Sequence, residues 1–145
     1  HTMNKYEFLK ETFPDIEPME NKIFVKNRLL EILQFLKNSP ELYYDSLFSI
    51  IAIDYLEYVE LIYILDSTYF NESINLCIRV KDKTETITHI YPSAYFDECE
   101  IYDLFGIEFQ NNKNLKRLFM PISWKGFPLR KNYQMNDERL NWNEL

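Results

Sequence analysis

Four carboxylates crowd one short stretch, YFDECEIYDLF: Asp97, Glu98, Glu100 and Asp103. Carboxylates this close could work as general acid and base, or hold a cation through oxygen. Either chemistry needs the side chains to converge. The stretch reads as a helix over 94–105, with Ser93 after Pro92 as its N-cap. Acids sit in the early turns, where the helix dipole favours them, and Gly106 fits as the left-handed residue past the end. At about 100° per residue, Asp97, Glu100 and Asp103 fan across one side, while Glu98 falls near the stripe of Ala94, Ile101 and Phe105. The acids do not meet, so neither catalysis nor a metal site is expected of them. Tyr95, Phe96, Cys99 and Tyr102 fill the remaining arc. A helix apolar nearly all round is expected to be covered on two sides, by its own sheet and by an arm or a partner.

Other candidates for chemistry are sparse. His89 is the only histidine after position 1 and sits in a Thr-Ile-Thr-His-Ile run, where a surface or satisfied role is expected. Cys77 and Cys99 are too few and too far apart for a zinc or iron–sulfur site, and free thiols are expected. No glycine-rich loop is present to cradle the phosphates of a nicotinamide or flavin. The sequence therefore predicts no catalytic residue, no metal and no cofactor.

Beyond the helix the chain changes character. MPISWKGFPLRKNY holds two prolines and a glycine and has neither helical nor strand period. The chain has only 2 glycines, Gly106 and Gly126, and both lie here. From Phe109 to Asn136 there is no acid, but there are Lys113, Lys116, Arg117, Lys125, Arg130 and Lys131. That segment carries +6, which leaves −13 on the remainder of a chain whose net charge is −7. A basic arm on an acidic body suggests contact with something acidic. Trp124, Phe127, Pro128, Leu129 and Arg130 are its expected anchors, because Trp and Arg in an irregular segment resemble interface hot spots. The other reading is a tail folded back on its own domain.

These residues resemble the signature of a known family, the thirty-kilodalton subunit of respiratory complex I, also called the C-subunit of bacterial NADH–quinone oxidoreductase. Glu98, Glu100, Asp103, Leu104, Phe105, Gly106, Ile107 and Phe109 match its first part, and Leu115, Arg117 and Leu118 follow. Trp124, Gly126, Pro128, Leu129, Arg130, Lys131 and Tyr133 match its second. Cys99 stands where the family usually has Arg, Asn111-Asn112-Lys113 where it has Gly-His-Pro, and Asn132 where it has Asp. A weaker likeness reaches back to the IIAIDY strand near Leu47. The resemblance implies a non-catalytic subunit in the peripheral arm of a respiratory-chain complex, on the cytoplasmic face of a bacterial or archaeal membrane. It implies docking to the large subunit of the forty-nine-kilodalton type, beside a small iron–sulfur subunit. Quinone reduction and proton translocation would belong to the assembly. Glu98, Glu100, Asp103, Gly106, Arg117, Trp124, Gly126, Pro128, Leu129, Arg130 and Lys131 would form the motif and the partner interface. The same family serves group 4 nickel–iron hydrogenases, an alternative parent. A free-standing binding module is a second alternative.

Composition agrees with one domain. At 145 residues, 46% hydrophobic, the chain can build a single core. Its 11 Tyr and 11 Phe exceed what such a core needs, so some rings are expected to face a partner. The net charge of −7 argues against nucleic acid as the main partner. No 18-residue apolar run is present, and the N-terminus lacks the apolar stretch of a signal peptide.

The elements that must position the arm can be read in order. Tyr6, Phe8, Leu9 and Phe13 suggest a first helix, and Ile23 to Val25 a short strand. Leu29, Ile32, Leu33 and Leu36 repeat at helical spacing over 27–37. Leu47 to Tyr55 reads as a buried strand, Tyr58 to Leu65 as a second, and 73–81 as a third with one wet face. Thr84 to Ile90 is another strand or an extended lead-in. The sequence predicts an α+β fold: a mainly antiparallel sheet with helices on one face. Residues 1–110 are its core, and 111–145 an irregular basic arm of the same domain.

Overall fold

A computed structural model of the protein describes residues 4–121 and 123–131. The expectations for Asn132 and Tyr133, and for the arm beyond Lys131, lie outside the described residues. Among the described residues three helices and seven strands follow in order as α1 (Lys5–Thr12), β1 (Glu17–Pro18), β2 (Ile23–Phe24), α2 (Leu29–Asn38), β3 (Ser46–Asp54), β4 (Val59–Ser67), β5 (Glu72–Val80), β6 (Lys83–Glu85), α3 (Ala94–Phe105) and β7 (Glu108–Gln110). The main sheet runs β1-β2-β5-β4-β3. Its β3–β4–β5 meander is antiparallel, as is β1–β2, and β2 joins β5 in parallel. The fold is the expected α+β arrangement.

Alternation builds the core. Val59, Leu61, Tyr63 and Leu65 of β4 point to one face and are fully buried. Ile74, Leu76 and Ile78 of β5 join them there, and Leu9, Ile32, Leu33, Leu36, Ala94 and Ile101 of the three helices close the same cluster. The helices thus cover one face of the sheet.

The other face is open along β3, which corrects the expectation that Leu47 to Tyr55 is a buried strand. Phe48 is 71% exposed, and Ile51 and Ile53 are exposed as well. Two features explain this. β3 is an edge strand, and its register slips between Leu47 and Ser49. The bulge places Phe48 outside and turns Ile50 inward opposite Tyr63. The edge itself is capped: Asp97 of α3 accepts the Ile50 amide at 3.1 Å.

Further differences are local. Ser93 occupies the N-cap position but makes no side-chain cap bond, because its backbone is already helical (φ −63°, ψ −15°). Hydrogen-bonded turns through Ile87, Tyr91 and Pro92 lead straight into α3, so Ser93 lacks the extended geometry a cap needs. The 84–90 segment is strand only over β6, which pairs in parallel with the unforeseen β7. α2 begins two residues later than expected, at Leu29, after Arg28 in a left-handed conformation (φ 62°).

Candidate functional site: the arm clamped on the end of α3

Gly106 ends α3 at φ 77°, a conformation that costs glycine nothing, and its amide bonds the Tyr102 carbonyl at 2.9 Å. A Cβ there would lie 2.6 Å from Phe127 Cδ2, so the glycine also makes room for the arm's ring. The chain then runs through β7 and doubles back over the last turn of α3. Two buried aspartates fasten it.

Asp103 is completely buried. Its Oδ1 accepts Arg117 Nε, and its Oδ2 accepts the amides of Phe119 at 2.6 Å and Met120 at 2.7 Å. The remaining guanidinium nitrogens of Arg117 donate to the carbonyls of Trp124 (2.7 Å), Asp103 (2.8 Å) and Gly126 (2.9 Å). Arg117 also lies 5.0 Å from the centre of the Phe127 ring. One fork of donors therefore fixes both limbs of the arm, 117–120 and 124–127, to one carboxylate. Burial works to raise the Asp103 pKa, but the Arg117 hydrogen bond, the two amides and the Arg117 charge outweigh it and hold the group below its ordinary value.

Asp54, at the end of β3, is the second fastening. Its Oδ1 accepts the Leu56 amide at 2.8 Å, and its Oδ2 accepts Arg130 Nε at 3.1 Å and the Lys131 amide at 2.6 Å. Arg130 reaches the Phe105 carbonyl as well, at 3.1 Å, and the Leu129 amide bonds the Leu104 carbonyl at 2.8 Å. Here too burial pushes the pKa up, and the amides of Lys131 and Leu56 with the Arg130 charge bring it below the carboxylate norm.

Glu98 is a third buried carboxylate, but with neutral partners. It accepts the Thr86 hydroxyl at 2.6 Å, the Ile87 amide at 2.9 Å and the Asn112 side-chain amide at 2.9 Å. Burial raises its pKa, and these three bonds offset the rise only in part. It ties the lead-in to α3 and the turn after β7 to the helix.

The carboxylates do not form one site, as the helical wheel indicated. Asp97 caps β3, Glu98 holds the 86–87 and 112 segments in place, Glu100 is exposed, and Asp103 lies under the arm. Among the described residues no three His, Cys, Asp or Glu side chains group as metal ligands do. His89 is exposed. Both cysteines are buried and free, and burial pushes the Cys77 thiol up to about 11.

The structure divides the expected interface residues into two sets. Arg117 and Arg130 turn inward to Asp103 and Asp54, and Gly126 (φ 84°) supplies the bend that Arg117 holds. Trp124 and Pro128 are half-buried. Leu129 is exposed, as are Leu118 and Phe119. Lys113, Lys116, Lys125 and Lys131 are exposed and make no ion pair among the described residues. Asp54 is the part of the clamp that local pattern does not reveal. Asp54 lies 76 positions before Arg130, and only the likeness of IIAIDY to a family strand touches it.

Residues 23–139 match the family described as respiratory-chain NADH dehydrogenase, 30 kDa subunit. The C-subunit of NADH-quinone oxidoreductase from Roseiflexus sp. (strain RS-1) is 31% identical over 121 residues, covering 78% of this chain and 68% of that protein. The NADH-ubiquinone oxidoreductase subunit 9 of Dictyostelium discoideum is 29% identical over 134 residues, covering 79% of this chain and 64% of that protein. A chain in the structure of the membrane-bound sulfane sulfur reductase (MBS), an archaeal respiratory membrane complex, has the same fold, with a TM-score of 0.73 at 21% identity over 90% of this chain and 84% of that chain. The helix α3 and the arm clamped on it carry the motif, and the match spans most of the chain: it belongs to the 30 kDa subunit family of respiratory-chain NADH dehydrogenase.

Proposed function

We propose that this chain is a non-catalytic subunit of a complex I-like oxidoreductase, and that it docks through the arm to the large subunit of the forty-nine-kilodalton type. The clamp carries this reading. Two buried aspartates hold an irregular segment against the end of α3 while Leu118, Phe119 and Leu129 stay in solvent at 39%, 58% and 51% exposure. Ordering such a segment costs conformational entropy, and a preordered one loses less on binding. In this reading electrons pass through the neighbouring small iron–sulfur subunit and the large subunit. Quinone reduction coupled to proton translocation belongs to the assembly, at the cytoplasmic face of the membrane. The chain contributes shape and adhesion, and no active site.

Co-expression with the large subunit of the same organism tests this. The two chains are expected to co-purify in equal amounts. A folded large subunit that leaves this chain monomeric would refute the reading.

A further inference from the structure

Arg130 and Trp124 look like interface anchors in the sequence, but the arm's two arginines are consumed internally. Each guanidinium faces a buried carboxylate and backbone carbonyls. The arm leaves a different set of groups available. Phe119 leaves the chain beside an amide bound to Asp103, Leu118 lies between that residue and Arg117, and Leu129 projects where its amide bonds Leu104. All three therefore hang from the last turn of α3. Lys116, Lys125 and Lys131 are exposed in the same arm, and the arginines are paired internally.

We propose that Leu118, Phe119 and Leu129, together with the exposed Lys116, Lys125 and Lys131 of the same arm, are the recognition surface, and that it fits an acidic protein recess with an apolar floor. This rests on the reading of the arm as the docking element and specifies what its partner must present. Charge complementarity selects the occupant. The lysines require acids opposite them, and the apolar trio requires a pocket that excludes water. A second copy of this chain is the competing occupant, because Glu57, Asp82 and Glu100 are exposed on it, and it is an outcome of the test below. An anionic bilayer fits poorly, because the exposed Glu100 shares the α3 face of Asp103 and the body behind it is acidic.

The test uses the full chain and the large subunit as probe. Phe119→Glu with Leu129→Glu should weaken co-purification by at least ~10-fold with no change in the melting temperature of the chain alone. Lys116→Glu with Lys125→Glu should weaken it less, about 3- to 10-fold, and the loss should grow as salt is lowered. If the Phe119/Leu129 variant binds like the unaltered chain, the surface is wrong. Asp103→Asn, which unfastens the arm, then separates the two claims. Lost binding in that variant keeps the arm as the docking element, whereas retained binding removes the docking reading too. Binding to phosphatidylserine vesicles that the Phe119/Leu129 variant abolishes would overturn the proposal in favour of lipid. Concentration-dependent dimers abolished by the same variant would overturn it in favour of self-association.

Discussion

Asp103→Asn perturbs the clamp without changing its volume. Every group around the Asp103 carboxylate is a donor: Arg117 on Oδ1, and the Phe119 and Met120 amides on Oδ2. Asparagine offers one accepting oxygen and one donating amide, so one side must set donor against donor. If the oxygen serves the two amides, the amide group faces Arg117 Nε, and the guanidinium loses its counter-charge. Hydrogen bonds to charged groups contribute about 1.5–3 kcal/mol each, and breaking a buried ion pair costs about 3–5 kcal/mol. A loss of about 3–5 kcal/mol is expected, against a total of about 5–15 kcal/mol for a domain. At about 2–4 °C per kcal/mol for a chain near this size, melting should fall by about 6–20 °C. If the arm opens separately from the core, the loss is capped at the arm's own opening free energy and shows as faster amide exchange over 117–131. Thermal melts and hydrogen exchange read the two cases. Melting within ~1 °C of the unaltered chain together with unchanged exchange in the arm would refute the clamp. The pH dependence adds a sign. A folded pKa below the unfolded value of about 3.9 means stability fully present above that pH and lost as pH falls toward the folded value. The variant should show a shallower acid loss, not a flat one, because Asp54 and Asp45 are depressed too.

The same geometry sets three further outcomes. Glu98→Gln should cost only about 1–2 kcal/mol, since the Thr86 hydroxyl can turn to accept, while Asn112 can do so only by giving up the Asn114 amide that its Oδ1 accepts at 3.1 Å. Its pH effect has the opposite sign: the raised Glu98 pKa makes the unaltered chain lose stability as pH rises through the folded value, and melts across that window should show this loss gone in the variant. Gly106→Ala should cost about 1–2 kcal/mol of left-handed strain plus whatever moving Phe127 requires, read as a lower melting temperature; an unchanged melt would mean the arm's ring does not pack there. Tyr63→Phe should be neutral or stabilising in denaturant titration, because its hydroxyl is buried with no hydrogen-bond partner among the described residues, and a loss above ~1.5 kcal/mol would show that a partner exists.

Most of the fold, and the family mark, can be read from local pattern. Hydrophobic spacing places α2 through Ile32, Leu33 and Leu36, and alternation places β5 through Ile74, Leu76 and Ile78, because these periods are set by backbone geometry within a few residues. Gly106 is legible for the same local reason, since it marks where a helix must turn left-handed. The signature from Glu98 to Lys131 is legible as a family mark, but not the work its arginines do. That Arg117 and Arg130 turn inward emerges only in the folded chain, since Asp54 is 76 residues from Arg130 and nothing in either segment encodes the other's position. The exposure of Phe48, Ile51 and Ile53 emerges there too. An apolar strand looks the same in sequence whether one or both of its faces are covered, and the bulge at Phe48 that resets the alternation leaves no composition signal. Pairings between distant segments are fixed by packing over the whole chain, and so is the difference between an arginine that meets a partner and one that holds its own arm in place.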